Sequence, residues 1–447
     1  MTTTEMQSAA EGAVARYLAE FERAERPAYE PAAIQALRRR ALARFAETGF
    51  PNLQQEEWRQ TNIAPLVQGS FLAPSGDPEA VNEEQIAPFV FPAAAQLVFI
   101  DGRLSRRLSR TEGLPAGTFA GSLREALAAQ PEAVAAHLGR HASLDHPFVA
   151  LNTALFEDGA YLSLPRGAEI DGTVHLLFLS SSREGEATRS FPRNLFVAGP
   201  NSRLTLVETY AGSGGYFCCP VTELVAGENA VIDHYKVQRE SREAFHVATF
   251  QLHGERSCAP SSHSISLGGG LVRNDVNAVL DGEGIDCILN GLYLVEGRQH
   301  VDNHMRVEHA KPHCASHELY KGILDGRARA VFSGLIHVHP GAQKTDAKQS
   351  NRNLLLSRDA IANSNPQLEI YADDVRCTHG STVGQLDDDA VFYLRSRGIG
   401  MEAARSLLTY AFASDVVERI KVEPVRRDLE ELLFARLPQG DVVRQAV

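Results

Sequence analysis

The sequence predicts a mainly β protein, a parallel β-helix (solenoid) flanked by helical regions at both ends of the chain. In the range 148–385, short apolar runs such as Val174–Leu179 and Val231–Tyr235 are separated by Gly, Asn, Asp and Pro turns. These runs do not alternate with helical patterns of about 10 to 15 residues, which argues against a β-α-β enzyme fold.

Internal similarity favours a solenoid over other β folds. The segment 197–204 (VAGPNSRL) recurs as 225–232 (VAGENAVI), at an offset of 28 residues. A second echo relates 280–282 (LDG) to 324–326 (LDG), at an offset of 44. Stacked coils of roughly 20 to 30 residues, each packing only on its neighbours, would produce such echoes. A β-sandwich is the main alternative.

The N-terminal part of the chain is predicted to be helical or mixed. Apolar residues recur at helical spacing over Thr4–Phe21 and Ala32–Phe45, with few β-branched residues between them. A further helical pattern, Ser122–His141, opens on a serine followed by Glu125 at the capping-box spacing. Pro- and Gly-punctuated sequence lies between these patterns.

Helical patterns return at the C-terminal end, over Asp387–Arg397, Glu402–Ile420 and Glu423–Leu437. The first has acidic residues at its start and basic residues in its last turn, an order that suits the helix dipole. We expect a small helical domain that caps the solenoid, because an uncovered terminal coil would leave a sticky edge. The predicted division is 1–147, 148–385 and 386–447.

Composition excludes several classes of protein. The net charge of −12 comes from 56 acidic and 44 basic side chains spread along the chain, which argues against nucleic-acid binding. The sequence contains no run of about 18 apolar residues and no export signal at its start, so we predict no membrane insertion. Its six cysteines form no C-x-x-C pair, which favours a reducing compartment and predicts a cytoplasmic location.

Two groups of residues could carry chemistry. Five histidines lie close together in sequence: His300, His304, His309, His313 and His317. Residues at i and i+4 of a strand stand about 13 Å apart, so two of them could not bind one ion, and we predict polar pairing within or between coils.

The second group is Cys377-Thr-His379, which places a thiol and an imidazole on one face of an extended backbone. Both side chains are possible iron ligands. Such a pair is a weak signal by itself, and a buried cysteine beside a hydrogen-bonded histidine is the structural alternative.

The surrounding sequence closely resembles the SufB/SufD family of iron-sulfur cluster assembly proteins. Its long C-terminal signature matches Pro366–Gly384 running into Phe392–Ile399. Matches upstream follow in the same order: 313–316 (HCAS), 326–334 (GRARAVFSG), 343–346 (QKTD) and 353–356 (NLLL). The segment 56–61 (EEWRQT), and the lack of SufB's cysteine-rich motif, make the chain similar to the SufD branch.

This resemblance implies a right-handed parallel β-helix that pairs with SufB through its end, and a C-terminal domain that docks the ATPase SufC. By the same resemblance His379 matches an interface histidine, and Cys377 matches a neighbouring thiol. The implied SufC-docking residues are Phe392, Tyr393, Leu394, Arg395, Arg397, Gly398 and Ile399.

The resemblance further implies a non-catalytic scaffold. No cofactor is expected to stay bound to the isolated chain, a transient iron-sulfur cluster is expected in the complex, and no metal ligand is assigned. A homodimer of the isolated chain is possible. Two alternatives remain open: a SufB-like scaffold that holds the cluster itself, and a carbohydrate-active β-helix enzyme using carboxylates such as Asp373 and Asp374.

Overall fold

The computed structural model describes residues 3–23, 30–182 and 186–446, and shows a parallel β-helix with helices at both ends of the chain. The strands are β1 Ala95–Ile100, β2 Arg103–Arg110, β3 Phe119–Ser122, β4 Ala160–Leu164, β5 Glu169–Ser181, β6 Thr188–Ser190, β7 Arg193–Ala198, β8 Arg203–Ser213, β9 Tyr216–Cys218, β10 Val221–Ala226, β11 Val231–Arg239, β12 Phe245–Gly254, β13 Ala259–Ser266, β14 Leu271–Leu280, β15 Asp286–Val295, β16 His300–His309, β17 Ala315–Leu324, β18 Arg329–Val338, β19 Asp346–Leu355, β20 Ile361–Ile370 and β21 Arg376–Gly384. The α-helices are α1 Thr3–Arg23, α2 Ala32–Thr48, α3 Ala64–Gln68, α4 Glu83–Ile86, α5 Leu123–Ala129, α6 Pro131–Ala135, α7 Pro147–Leu155, α8 Asp388–Ser396, α9 Met401–Val417, α10 Glu423–Arg436 and α11 Gly440–Ala446.

Two sheets form the walls of the solenoid. Sheet 1 has ten strands in the order β2-β1-β5-β8-β11-β13-β15-β17-β19-β21. Sheet 2 has eleven, with the main path β20-β18-β16-β14-β12-β10-β7-β4-β3 and β6 and β9 beside it. The strands of each sheet are parallel except at the N-terminal end, where β2 and β3 are antiparallel to their neighbours. The predicted parallel β-helix is therefore confirmed.

The sequence repeat corresponds to one coil. Val225 of β10 pairs in register with Val197 of β7, as the offset of 28 requires. The second echo has another origin, because Leu280 ends β14 in sheet 2 whereas Leu324 ends β17 in sheet 1. The second echo therefore relates a turn after a strand of sheet 2 to a turn after a strand of sheet 1.

The inner faces of both sheets form a continuous core. Apolar side chains stack from coil to coil, as in the ladder of Phe99, Phe178 and Tyr210, whose successive ring centroids are 4.9 and 4.8 Å apart. Each buried large apolar side chain contributes roughly 1.5–3 kcal/mol to folding. Because each coil buries its inner face only against its neighbours, the stack is stable only as a whole.

The N-terminal region packs on the outer face of the first coils of sheet 2. Phe45 of α2 and Phe148 of α7 share a buried cluster with Phe217 and Val247 of the sheet. One local prediction in this region differs from the structure. The pattern Ser122–His141 divides into α5 and α6 before Pro131, which cannot continue a helix, although Ser122 caps α5 as expected.

Strands also occur where we predicted only Pro- and Gly-punctuated sequence. β1 pairs in parallel with β5, so sheet 1 begins before residue 100. Helix α7 lies across the predicted boundary at 147/148. The division of the chain into domains remains a prediction.

The C-terminal helices do not cap the last coil, which corrects the prediction that they would. Their buried side chains, such as Val416 of α9 and Leu429 of α10, pack on the outer face of sheet 1. The same apolar cluster includes residues of six strands: Val207, Tyr235, Ile265, Leu292, Ile323 and Leu354. The helical domain therefore lies along the side of the stack. Strands β20 and β21 stay largely exposed at the end of the stack.

None of the helices in the described part of the chain is both long enough and apolar enough to cross a membrane.

Candidate functional site

Cys377 and His379 lie on β21, the last strand of sheet 1. Cys377 pairs in register with Ala347, and His379 pairs with Gln349, so both side chains share the inner face of the last coil. Cys377 is half-buried against Ala347 and Ala372, and burial raises the pKa of its thiol. His379 is exposed at the open end. The structure thus places the predicted pair on one face of one strand.

A buried polar column lies directly beneath His379. Gln349 follows His379 in the neighbouring coil, and Glu318 follows Gln349 in the next. Gln349 Nε2 donates to Glu318 Oε2 at 2.5 Å. Burial raises the pKa of Glu318 to about 7, so this carboxyl changes its charge near neutral pH. An ionisable carboxyl group is therefore buried two coils below the exposed last strand.

The last coil presents unpaired backbone along both sheets. Arg376 N donates to Thr345 O at 2.8 Å. Because successive residues of a strand point their N–H and C=O groups to opposite edges, the odd-numbered residues 377–383 turn theirs away from β19. No further strand follows β21 among the described residues. This edge can accept an added strand.

The edge of β20 is partly blunted. Ile361 N donates to Ala328 O, so the even-numbered residues of β20 face outward. Pro366 occupies one of these outward positions, where the missing N–H costs the ladder no hydrogen bond. Apolar side chains are nevertheless exposed around this end: Ile361, Ile370, Tyr371 and Val383.

Helix α8 carries the predicted SufC-docking residues 392–395, and the other three follow it at 397–399. Val391 is buried, whereas Phe392 and Tyr393 are 70% and 57% exposed. The Asp387 carboxylate accepts from Asp389 N at 2.8 Å, which caps the helix. The other predicted docking residues are exposed (Arg395, Arg397, Gly398) or half-buried (Leu394, Ile399).

The exposed surface around α8 includes an aromatic ring in contact with a guanidinium group. The Arg397 guanidinium lies 5.1 Å from the centre of the Tyr393 ring and donates to its hydroxyl at 3.1 Å. Exposed aromatic side chains are typical of protein interfaces. The sequence did not distinguish the contact residues of α8 from its anchor Val391.

The five neighbouring histidines are paired or dispersed, as predicted. His300 Nε2 lies 2.9 Å from Thr61 Oγ1, and His309 Nε2 lies 3.0 Å from Ser316 Oγ. His304 approaches Asp302 at 3.2 Å. His313 lies in a turn and His317 on β17, so the strand geometry separates the five side chains.

The segment 56–61 joins the N-terminal region to the sheet. The Arg273 guanidinium lies 3.8 Å from the centre of the Trp58 ring and is fully buried. Arg273 also pairs with Asp275 and Asp302, both at 2.8 Å. Thr61 donates to the same Asp302 carboxylate at 2.5 Å. This network gives the motif a structural role.

A groove of about 1520 Å³ runs beside this network, along the outer face of sheet 2. Its carboxylates include Asp275, which Arg273 neutralises, and Glu308, which pairs with Arg306 at 2.7 Å. The carboxylates considered for a carbohydrate-active enzyme, Asp373 and Asp374, lie instead in the turn before β21, where Asp374 pairs with Lys344. They do not line the groove.

One group of side chains inside the solenoid has the arrangement of a metal site. Cys218, Glu240 and His246 are buried, and one ligand atom from each lies within 4.8 Å of the others. The sequence analysis missed this group. The repeat offset could have indicated part of it, because Cys218 of β9 and His246 of β12 pair in register one coil apart.

Comparison with known proteins bears on all of these features. The family model for the SufBD core domain of SUF system FeS cluster assembly matches residues 178–412, and that for the SufBD N-terminal region matches residues 14–176. An iron-sulfur cluster assembly SufBD family protein of Synechocystis is 34% identical over 399 residues, 87% of each chain.

Two further relatives come from distant organisms. The iron-sulfur cluster assembly protein SufD of Escherichia coli is 30% identical over 404 residues, covering 89% of this chain and 92% of that protein. The chloroplastic protein ABCI7 of Arabidopsis thaliana is 28% identical over 88% of this chain and 84% of its own length. The chain thus belongs to the SufBD family of the SUF iron-sulfur cluster assembly system.

Proposed function

We propose that the chain is a scaffold subunit of a SUF iron-sulfur assembly complex, which pairs with SufB through the open end of its β-helix and carries SufC on its C-terminal helices. The observation that carries the proposal is the exposed last coil. A long strand edge that is neither covered nor charged is a site for strand addition.

The edge of β21 is the better pairing surface of the two. Its outward backbone groups at Cys377, His379, Ser381 and Val383 form an uninterrupted row, whereas Pro366 removes one donor from β20. A partner strand on β21 would also bring its side chains next to His379. In isolation, a second copy of the chain could occupy the same edge.

The cluster is the cargo of this end rather than a resident cofactor. His379 and Cys377 supply an imidazole and a thiol, but iron-sulfur clusters are usually held by four protein ligands. The partner would therefore supply the rest, and the cluster would be transient. This separates the proposal from a SufB-like scaffold, which would retain iron and sulfide alone after anaerobic reconstitution.

Docking of SufC would use α8. Phe392 and Tyr393 present two large, mostly exposed rings on a short helix that Val391 and the Asp387 cap hold in place. Such aromatic anchors often carry most of the binding energy of an interface. Nucleotide hydrolysis would belong to SufC, and the chain would act in the cytoplasm.

The test is co-purification of tagged chain with SufB and SufC from cells expressing all three. Ser381→Pro removes one outward N–H of β21 and should reduce SufB recovery at least tenfold, while SufC recovery stays unchanged. Phe392→Ala should do the reverse. Val442→Ala, which alters another exposed apolar side chain, is the matched control.

A third arm concerns the cluster. His379→Ala should leave both partners bound and lower the cluster yield of the reconstituted complex, measured by its visible absorption. Full SufB recovery with Ser381→Pro would remove the edge from the proposal. Normal cluster yield with His379→Ala would remove the imidazole from it.

A further inference from the structure

The group formed by Cys218, Glu240 and His246 lies inside the solenoid, away from the exposed last coil. Cys218 and His246 are neighbours on adjacent parallel strands of sheet 2, and Glu240 follows β11 on the facing wall. Gln238 Nε2 donates to Glu240 Oε2 at 2.8 Å and holds the carboxylate in position. Three different ligand types thus converge from three segments of the chain.

The group contains a buried nitrogen that the described residues leave without a partner. His246 Nδ1 lies 2.7 Å from Glu240 Oε2, whereas Nε2 of the same ring is buried and has no hydrogen-bond partner. Burying a polar atom without a partner is unfavourable, so this nitrogen is available to a ligand.

The electrostatics of the surroundings accommodate a divalent cation. Within the group, the Glu240 carboxylate faces both Cys218 and His246 across the interior. The other charged groups facing the site are Lys236 and Glu208, with His234 hydrogen-bonded to Glu208. A divalent ion with the Cys218 thiolate would balance Glu240 and the Lys236–Glu208 pair to zero net charge.

We infer that Cys218, Glu240 and His246 bind one divalent first-row metal ion, of the Zn²⁺ or Fe²⁺ class, within the β-helix. One thiolate, one imidazole and one carboxylate are the ligands such ions take in tetrahedral sites. Ligand atoms around such an ion stand roughly 3.3–3.8 Å apart, and the three candidate ligand atoms lie within 4.8 Å of one another. The Cys218 proton leaves to solvent as the metal–sulfur bond forms.

This site would tie sheet 2 to the turn after β11 in sheet 1, and so fasten the two walls of the solenoid. It departs from the expectation, made from the sequence, that the isolated chain keeps no cofactor. It does not rest on the proposed scaffold function, because it needs neither SufB nor SufC.

The experiment uses the full chain produced in medium supplemented with Co²⁺, a spectroscopic substitute for Zn²⁺. We expect about one metal per chain by elemental analysis and a thiolate-to-cobalt charge-transfer band in the near ultraviolet. Cys218→Ser should abolish the band, and Glu240→Gln should reduce metal content at least fivefold.

Cys219→Ala is the matched control, because the Cys219 side chain lies on the opposite face and contacts Phe148 O. It should keep both metal and band. For Cys218→Ser chains that fail to fold, Glu240→Gln carries the test through its loss of metal at unchanged circular dichroism. Wild-type chain without stoichiometric metal, or a band lost in Cys377→Ser rather than Cys218→Ser, would overturn the inference.

Discussion

The two ends of the β-helix solve the problem of the exposed strand edge in opposite ways. At the N-terminal end, the antiparallel strand β2 closes sheet 1, and the Glu79 carboxylate accepts hydrogen bonds from the backbone N–H groups of Arg106 and Arg107. At the C-terminal end, no strand among the described residues pairs with the outer edge of β21. A covered edge cannot accept a further strand, whereas an open edge can.

The first prediction concerns the attachment of the N-terminal region to sheet 2. Arg193 and Glu223 form a fully buried pair at 2.5 Å, and Glu223 also accepts from the backbone N–H groups of Gly139, His141 and Ala142. Arg193→Ala should lower the free energy of unfolding by about 3–5 kcal/mol, because it leaves Glu223 buried without its cation. Urea denaturation followed by circular dichroism measures the change.

Arg352→Ala, on the exposed face of β19, is the control and should cost less than about 0.5 kcal/mol. Equal losses in the two variants would show that the N-terminal region is not held by this pair.

The second prediction concerns the titratable interior below the open end. The folded-state pKa of Glu318, about 7, lies above its ordinary value of 4.5. The folded chain therefore holds the extra proton between these values, and the free energy of unfolding falls as pH rises through this window. Glu318→Gln should remove that slope and stabilise the chain at pH 8 by roughly 3 kcal/mol.

Denaturation midpoints measured from pH 4.5 to 8 test this. Glu402→Gln, an exposed change on α9, should keep the wild-type slope. A slope that survives Glu318→Gln would assign the titration to another group.

The third prediction is the smallest in energy and turns the sealed end into an open one. Glu79→Ala should cost about 1 kcal/mol, because it frees the two backbone donors of β2 that its carboxylate occupies. The exposed edge should then favour self-association, visible by light scattering at high protein concentration. Glu112→Ala, an exposed change in the loop after β2, should leave the chain as it was; unchanged association of Glu79→Ala would contradict the role of that carboxylate.

The sequence was sufficient to predict the stacked coils of the β-helix, but not where the surrounding helices pack. The repeat at 197–204 and 225–232 reports a coil directly, because in-register neighbours occupy equivalent environments. The apolar stripe that includes Leu429 and Leu433 predicts that α10 buries one face, yet it does not say against which surface. That choice depends on the tertiary positions of side chains along sheet 1.

The candidate sites divide in the same way. Cys377 and His379 lie two residues apart, so their common face followed from the strand alone. Cys218, Glu240 and His246 come together only through the closure of a coil, and Glu240 joins them from the opposite wall. Alternation within one strand cannot predict contacts between two walls.

The placement of the C-terminal helices along sheet 1 has a mechanical consequence. Their hydrogen bonds and ion pairs reach from Asp233 of β11 to Lys321 of β17, so the domain bridges four successive strands of sheet 1. A load applied to α8 through Phe392 and Tyr393 would not bend the last coil alone. The contacts with sheet 1 would distribute the load over several coils, and β21 would move together with the stack.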